Sequence, residues 1–158
     1  MSQLILKGPI AKRLEEEARR HDMTPEEYLL ELLTKDLDPQ EKAKEYIKAS
    51  KELLEEAKEE LRKGNIRQAA EKVWGSAALA VKAYAYWKEG KRLSSHGELW
   101  EYKRKMEKEM GDWVGDAWGR ATEMHVCFYE GWCNEEDVKK AIERVERLVN
   151  EVSRVIGH

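Results

Sequence analysis

From residue 38 onward, hydrophobic positions recur every three or four residues, which is the periodicity of helices that bury one face. The most unusual stretch is 65–86, where alanine, glycine and serine fill many of the positions on the helix. Because the distance between packed helices depends on the side chains at the contact, small residues let helices approach closely. We therefore predict that residues 65–86 form the central helix of a bundle.

The flanking patterns predict four further helices. Residues 38–64 carry an apolar stripe, begin with an Asp-Pro pair and end at a glycine, as is typical of capped helices. Since almost no loop follows, this helix and the central helix form an antiparallel hairpin. The other three helices begin near His96, Asp112 and Asn134, and the last has the most regular apolar stripe. The sequence thus predicts an all-α fold with an antiparallel bundle of about five helices.

The first 37 residues follow a different pattern. Residues 2–7 form a short apolar run with partial alternation, ended by a Gly-Pro pair, and this indicates a strand. Two short helices follow, the second of which begins after Thr24. This strand–helix–helix order resembles a ribbon-helix-helix module. In such modules two chains pair their strands, and the paired ribbon enters the DNA major groove.

The charge of this segment argues against DNA as its ligand. Residues 1–37 contain six basic and eight acidic side chains, for a net charge of −2. Contact with phosphates needs the opposite sign. We therefore favour an arm for dimerisation or docking over residues 1–37, and keep DNA binding through residues 2–7 as the alternative. Residues 38–158 form the bundle.

The composition indicates the kind of organism and the cellular compartment in which we expect this protein. Charged residues make up 39% of the chain, mostly Glu, Lys and Arg, which favours a thermophilic source. No apolar run approaches 18 residues and the N-terminus lacks the apolar region of a signal peptide, so we expect a cytoplasmic protein with no membrane contact. Cys127 and Cys133 would be free thiols in the cytosol of a mesophile, whereas in a hyperthermophile they could form a disulfide.

Three segments in a fixed order carry a resemblance to a known family: GNIRQAAEKVWGSAALAVKAYA, SSHGELWEY and MHVCFYEGW, followed by a long amphipathic helix. Together they resemble the archaeal PaREP family, whose helical proteins are similar to the HEPN superfamily. The resemblance implies a HEPN-like antiparallel bundle that is usually a homodimer. HEPN proteins include ribonuclease toxins, partners of minimal nucleotidyltransferases, and inactive binding modules, so the resemblance leaves the activity open.

Arg120 and His125 are the sharpest catalytic candidates, because HEPN ribonucleases carry Arg, four to six residues, then His. Such a pair needs no metal: His takes the proton of a ribose 2′-hydroxyl and Arg stabilises charge on the phosphate. However, five residues on a regular helix place the two side chains about 140° apart. The alternative is structural: Arg120 pairs with Glu123 or another acid, and His125 caps the core.

A basic and aromatic segment between residues 82 and 105 is the candidate surface for RNA or a nucleotide, held through phosphate contacts and stacking. We assign this role to Lys91, Arg92, His96, Lys103 and Arg104. The alternative is a solvated face whose aromatic residues lie in the core. For His96, packing against Trp100 or bonding to loop backbone is the favoured interpretation.

No cofactor or metal is expected. His125 and Cys127 lie on nearly opposite faces of a helix, so these residues and Cys133 make a poor zinc site. The sequence contains no phosphate-binding glycine loop and no His-Glu-x-x-His motif. We therefore expect a non-catalytic, dimeric interaction or RNA-binding module. A metal-independent ribonuclease, with a nucleotidyltransferase as its partner, is the first alternative and a DNA-binding autoregulator is the second.

Overall fold

The structure, a computed structural model, describes residues 3–158, which contain helices but no strand. The prediction of an all-α fold is therefore confirmed. The chain divides into two compact units, Met1–Asp36 and Leu37–His158.

The first unit contains α1 (Gly8–Arg20) and α2 (Pro25–Leu33). The Thr24 hydroxyl accepts a hydrogen bond from the backbone N–H of Glu27 at 3.1 Å, which is the predicted N-cap of α2. Ala18 and Met23 are buried in this unit.

The strand predicted over residues 2–7 is not present in the described residues. Residues 3–7 are irregular, and residue 2 lies outside the described range. A strand is stabilised by backbone hydrogen bonds to a neighbouring strand, and the described residues of the chain supply none. The apolar side chains of this segment remain exposed, with Leu4 at 83% and Ile5 at 69%.

The second unit is a bundle of five helices, as predicted: α3 (Pro39–Arg62), α4 (Ile66–Glu89), α5 (His96–Met110), α6 (Trp113–Glu130) and α7 (Glu135–Ile156). The Asp38 carboxylate caps α3 by accepting from the N–H of Glu41 at 2.9 Å. Gly64, with a φ of 85°, follows the end of α3 in the left-handed conformation that favours glycine. α3 and α4 then pack as a hairpin.

Helix α4 is the centre of the bundle and contacts each of α3, α5, α6 and α7. Residues 73–86 of α4 are all buried. Ser50 on α3 and Ser76 on α4 each donate a hydroxyl hydrogen bond to the other's backbone carbonyl, at 2.7 and 2.8 Å. Such bonds require two backbones to lie close together, which the small side chains of α4 permit.

The apolar stripe of α7 lies inside the unit, where it packs against α3, α4 and α6. Asn134 and Asp137 form a reciprocal capping box at the start of α7. This stripe therefore belongs to the core of the unit. None of the helices within residues 3–158 combines the length and the apolar character needed to span a bilayer.

Candidate functional site

Three helices of the bundle bring two histidines together. We call this site the histidine cluster: Glu71 and Trp74 on α4, His96 at the start of α5, and His125 on α6. The ring centroids of His96 and His125 lie 5.4 Å apart, and each ring contacts Trp74, at 5.4 and 5.0 Å. The Nδ1 atom of His125 lies 2.9 Å from the Glu71 carboxylate. A base-like imidazole and its orienting acid therefore meet although they are 54 residues apart in the chain.

Local helix geometry explains how each side chain reaches the cluster. Glu71 and Trp74 are three residues apart on α4, so they project from the same face. His125 follows the buried Ala121 by four residues on α6, at the edge of the buried face. The Ser95 hydroxyl accepts from the N–H of Glu98 at 3.1 Å and so fixes the first turn of α5, which carries His96.

The hydrogen bond to Glu71 determines the tautomer of His125. An ionised carboxylate can only accept, so Nδ1 of His125 carries the proton and donates it. The Nε2 atom of neutral His125 then keeps its lone pair. The side chains of His125 and Glu71 are 22% and 16% exposed. The pair is thus partly shielded, with one ring nitrogen available as a base.

His96 differs from His125 because its Nε2 atom is buried and has no hydrogen-bond partner among the described residues. Buried polar atoms are nearly always bonded, and an exception needs an explanation. The Trp118 indole N–H, nearby in the same aromatic group, is also buried and unbonded within the described chain. The interior around His96 therefore contains polar atoms that the described residues leave unsatisfied.

A continuous row of aromatic rings passes through the cluster. From Trp100 it runs to Trp118, Trp74, His125 and Tyr129, with successive centroids 6.1, 5.1, 5.0 and 5.3 Å apart. Trp118 and Trp74 are buried and His125 is partly buried, whereas Trp100 is 38% and Tyr129 is 57% exposed. The row therefore presents an aromatic surface at each end, suited to stacking of nucleobases.

Arg120 is not part of the cluster. Its guanidinium pairs with Glu123 on the same helix at 3.5 Å, while His125 pairs with Glu71 on α4. α6 is regular over both residues, so they point about 140° apart. The Arg120–Glu123 ion pair is the one that the structural alternative for Arg120 and His125 predicts.

A second site lies along α5 and the loop before it. We call it the basic groove; it is a concave surface that encloses a volume of about 780 Å³. Its lining is formed by Lys91, Ser95, Gly97, Glu98, Glu101, Tyr102, Arg104, Lys105 and Lys108. Four cations thus face two carboxylates across one open surface.

Some of these charges are already paired. Arg104 contacts Glu101 at 2.8 Å, and Lys105 contacts Glu89 at 3.2 Å. Hydrogen bonds from the side chain and backbone of Ser94 hold the pKa of Glu98 below its ordinary value. Within the described residues, neither Lys91 nor Lys108 has a carboxylate close enough for an ion pair, although the charge of Lys91 helps to lower the pKa of Glu89 and Glu98. The ammonium groups of these two lysines therefore stay open to an incoming phosphate.

The predicted RNA-binding residues are divided between these places. Lys91 and Arg104 line the basic groove, and His96 belongs to the histidine cluster. Lys103 is buried, donates to Glu107 at 2.6 Å, and lies over the ring of Trp100. Arg92 is exposed next to the groove but does not line it.

Sequence reasoning missed Glu71 as the partner of His125 and Lys108 as a groove residue. Glu71 could have been found from its position, because it is an acidic residue one turn before Trp74 on a helix whose other residues are suited to burial. Lys108 lies one turn after Arg104 on α5, and that spacing alone places both on one side.

The end of α6 is held by two tethers. A disulfide joins Cys127 to Cys133, with their Cα atoms 5.7 Å apart, so the oxidised state left open by the sequence is the one observed. Arg67 on α4 donates to the backbone carbonyls of Phe128 and Tyr129 at 3.0 and 2.6 Å. Across residues 3–158, no group of three or more His, Cys, Asp or Glu side chains could hold a metal ion.

The fold and these sites define a class: an all-helical bundle protein in which histidines from two outer helices pack on a buried central helix, next to a basic groove. The family model of the archaeal PaREP1/PaREP8 family matches residues 45–149, and the chain belongs to that family. The predicted PaREP resemblance is therefore confirmed.

One solved structure is similar over most of its length. It is the crystal structure of a protein from Sulfolobus solfataricus, 28% identical in sequence, with a TM-score of 0.61. The match covers 67% of this chain and 94% of that protein. No curated protein matches the chain.

Proposed function

We propose that this protein is an RNA- or nucleotide-binding module built on a HEPN-like bundle, and that the basic groove holds the phosphates. The observation that carries this proposal is the convergence of four cationic side chains on one concave surface beside the start of α5. Two of them, Lys91 and Lys108, are exposed and have no carboxylate within ion-pair distance among residues 3–158, although Lys91 interacts with Glu89 and Glu98 at longer range. A polyanion gains most from cations that are not already neutralised.

The first turn of α5 adds donors at the same surface. Ser95 and Gly97 both line the groove. The backbone N–H groups of His96 and Gly97 have no intrahelical acceptor, because these residues open the helix. Helix N-termini favour anions through these N–H groups and the helix dipole. Together with Lys91, they form a recognisable phosphate-binding arrangement.

Fluorescence anisotropy with a labelled single-stranded RNA, measured over a salt series, tests the proposal. The double variant Lys91→Ala/Lys108→Ala should weaken binding by at least about tenfold. It should also reduce the slope of log K against log salt by about 1.4, since each of the two phosphate contacts contributes about 0.7 on a single strand. Lys139→Ala/Lys140→Ala on α7 removes the same charge from exposed positions outside the groove and is the matched control. Equal losses in both variants, or no binding by the parent protein, would contradict the proposal.

A metal-independent ribonuclease is the second candidate function, because a carboxylate orients His125 as it would a general base. In the form that the sequence suggested, Arg120 would stabilise the phosphate. Within one chain the contacts of Arg120 favour a surface ion pair instead. RNA that stays intact with the protein in the presence of a chelator would exclude this function.

The homodimer and the role of the arm remain proposals as well. Their support is the row of exposed apolar side chains at Leu4, Ile5 and Ile10, which a second copy of the same segment would cover. A monomer mass from light scattering would contradict dimerisation. DNA binding through residues 2–7 stays the less favoured prediction, since the charge of the arm opposes it. A nucleotidyltransferase partner stays a prediction of the family resemblance.

A further inference from the structure

We propose that a small cavity between α6 and α7 binds a phosphoryl group, which Arg144 and Arg147 hold and Asp116 selects. The cavity has a volume of about 160 Å³ and is lined by Trp113, Asp116, Ala117, Arg144 and Arg147. None of these residues lines the basic groove, so this inference goes beyond the proposed function and does not depend on it.

Two arginines supply the positive charge of the cavity. Arg144 and Arg147 are three residues apart on α7, so their side chains project from the same side of the helix. Among residues 3–158, no carboxylate lies within ion-pair distance of either guanidinium. Two like charges at one cavity repel each other, and an anion placed between them removes that repulsion.

The acidic residues near Arg147 are mostly engaged elsewhere. Three carboxylates share a neighbouring surface of α7 with it: Glu143, Glu146 and Glu151. Glu146 pairs with Lys58, and Glu151 pairs with Arg154. The hydrogen bond from Arg154 is the main cause of the lowered pKa of Glu151, to which Arg147 adds only at longer range. The guanidinium of Arg147 therefore remains available to an anion in the cavity.

Trp113 holds Arg147 in place. The guanidinium carbon lies 4.1 Å from the centroid of the Trp113 ring, in a cation–π contact. The ring is itself fixed, since its Nε1 atom donates to the Met110 carbonyl at 2.9 Å. Gly111 makes room for the ring, because a Cβ atom at this position would lie 3.0 Å from Cδ1 of Trp113. A stacked guanidinium keeps its N–H donors in its own plane, where a ligand can reach them.

The size and the donors of the cavity favour a tetrahedral oxyanion. Its volume is well below the roughly 300–1,000 Å³ of sites for drug-sized ligands, so it suits a group about as large as one phosphate. Ala117, which is 1% exposed, leaves this space through its small side chain. One guanidinium satisfies both oxygens of a carboxylate, whereas two guanidinium groups match the larger set of oxygens on a phosphoryl group.

Asp116 distinguishes phosphate from sulfate. An ionised carboxylate can only accept hydrogen bonds, so it favours an anion that carries a donor. A phosphoryl group, whose second pKa is about 6, can keep one proton near neutral pH and donate it to Asp116. Sulfate is fully ionised and has no proton to donate. A singly charged phosphoryl group also neutralises the charge that two arginines and one aspartate leave.

The test is an NMR titration of the full chain in a phosphate-free buffer near pH 6.5, followed through the Trp113 indole N–H. The probes are inorganic phosphate and sulfate, and phosphate should bind at least about tenfold more tightly. Arg144→Ala and Arg147→Ala should each weaken phosphate binding by at least about tenfold, as expected for the loss of hydrogen bonds between charged groups. Lys139→Ala removes the same charge from an exposed position of α7 outside the cavity, and should bind phosphate within about twofold of the parent.

Two further variants test selection and space. Asp116→Asn offers a donor as well as an acceptor, so the preference for phosphate over sulfate should shrink to within about twofold. Ala117→Leu should fill the cavity and abolish binding, with a circular dichroism spectrum to check the fold. Equal affinities of the parent for phosphate and sulfate, or an equal loss in Lys139→Ala and Arg144→Ala, would overturn the proposal.

Uridine 5′-monophosphate as a third probe separates two sources of the phosphoryl group. Binding at least about tenfold tighter than that of inorganic phosphate would assign an organic phosphate whose remainder lies outside the cavity. A similar or weaker affinity would assign free phosphate.

The groove variant Lys91→Ala/Lys108→Ala distinguishes this proposal from the proposed function, and it should bind inorganic phosphate as the parent does. Phosphate binding that is lost in this variant but kept in Arg144→Ala would overturn the cavity site and leave the groove. Phosphate binding that depends on Arg144, in a protein that binds no RNA, would support the cavity site and contradict only the proposed function.

Discussion

The histidine cluster and the basic groove are neighbours on α5, yet they are built in opposite ways. The cluster draws on three helices, and its rings pack on one another around a buried tryptophan. The groove is formed by one face of α5 and the preceding loop, and its lysines are exposed. The cluster therefore depends on how the bundle packs, whereas the groove depends on the surface of a single helix. The first can hold reacting groups in place, and the second can attract a polyanion.

The strongest test of this difference between the cluster and the groove is to remove the ring at the centre of the cluster. Trp74 is 3% exposed, and truncation of a buried Trp costs about 3–5 kcal/mol. We expect Trp74→Ala to lower the free energy of unfolding by that amount, measured by urea denaturation. Lys108→Ala in the groove should change the same quantity by no more than about 0.5 kcal/mol.

Similar losses in these two variants would show that the groove is as integral to the packing as the cluster. A small loss in Trp74→Ala alone would show that the rings around it contribute little to the fold.

A second test concerns the tether at the end of α6, two residues after His125. Closing a loop with a sequence separation of 6 restricts the unfolded chain, which the chain-entropy model values at about 2 kcal/mol. We expect Cys133→Ser to reduce the stability by about this amount. Cys127 stays buried in that variant, so the core is otherwise unchanged.

Reduction of the parent protein by dithiothreitol is the matched comparison and should produce the same loss. If reduction left the melting temperature unchanged, the bond would be absent from the protein in solution. Binding at the groove should be the same in the oxidised and reduced forms.

The smallest expected effect on stability comes from a substitution beside the groove. Ser94 holds the pKa of Glu98 below its ordinary value, so the ionised carboxylate stabilises the fold at neutral pH. This contribution is complete above the ordinary pKa and is lost as the pH falls through the lower pKa of the folded state. Ser94→Ala should raise the pKa of Glu98 toward its ordinary value in an NMR titration of its carboxyl carbon.

The accompanying change in stability should stay within about 0.5 kcal/mol, because Glu98 lies near the surface. An unchanged titration of Glu98 in this variant would mean that the Ser94 hydroxyl does not lower its pKa.

Much of the fold was predictable because it is encoded locally. The small residues of α4, the caps at Thr24 and Asp38, and the glycine at residue 64 mark helix positions through interactions within a few residues. The strand over residues 2–7 was wrongly predicted for the described residues 3–7. Alternation in an apolar run indicates a strand only when a neighbouring strand is present.

The sequence by itself determined that this protein is a helical bundle around α4, that it carries the PaREP motifs, and that basic residues gather on α5. These properties follow from periodicity, composition and motif order. Only the tertiary structure decided that His125 meets Glu71 and His96 rather than Arg120. Side chains on one regular helix have fixed relative directions, but contacts between helices depend on the rotation and crossing of each helix. Those quantities are set by packing across the whole core.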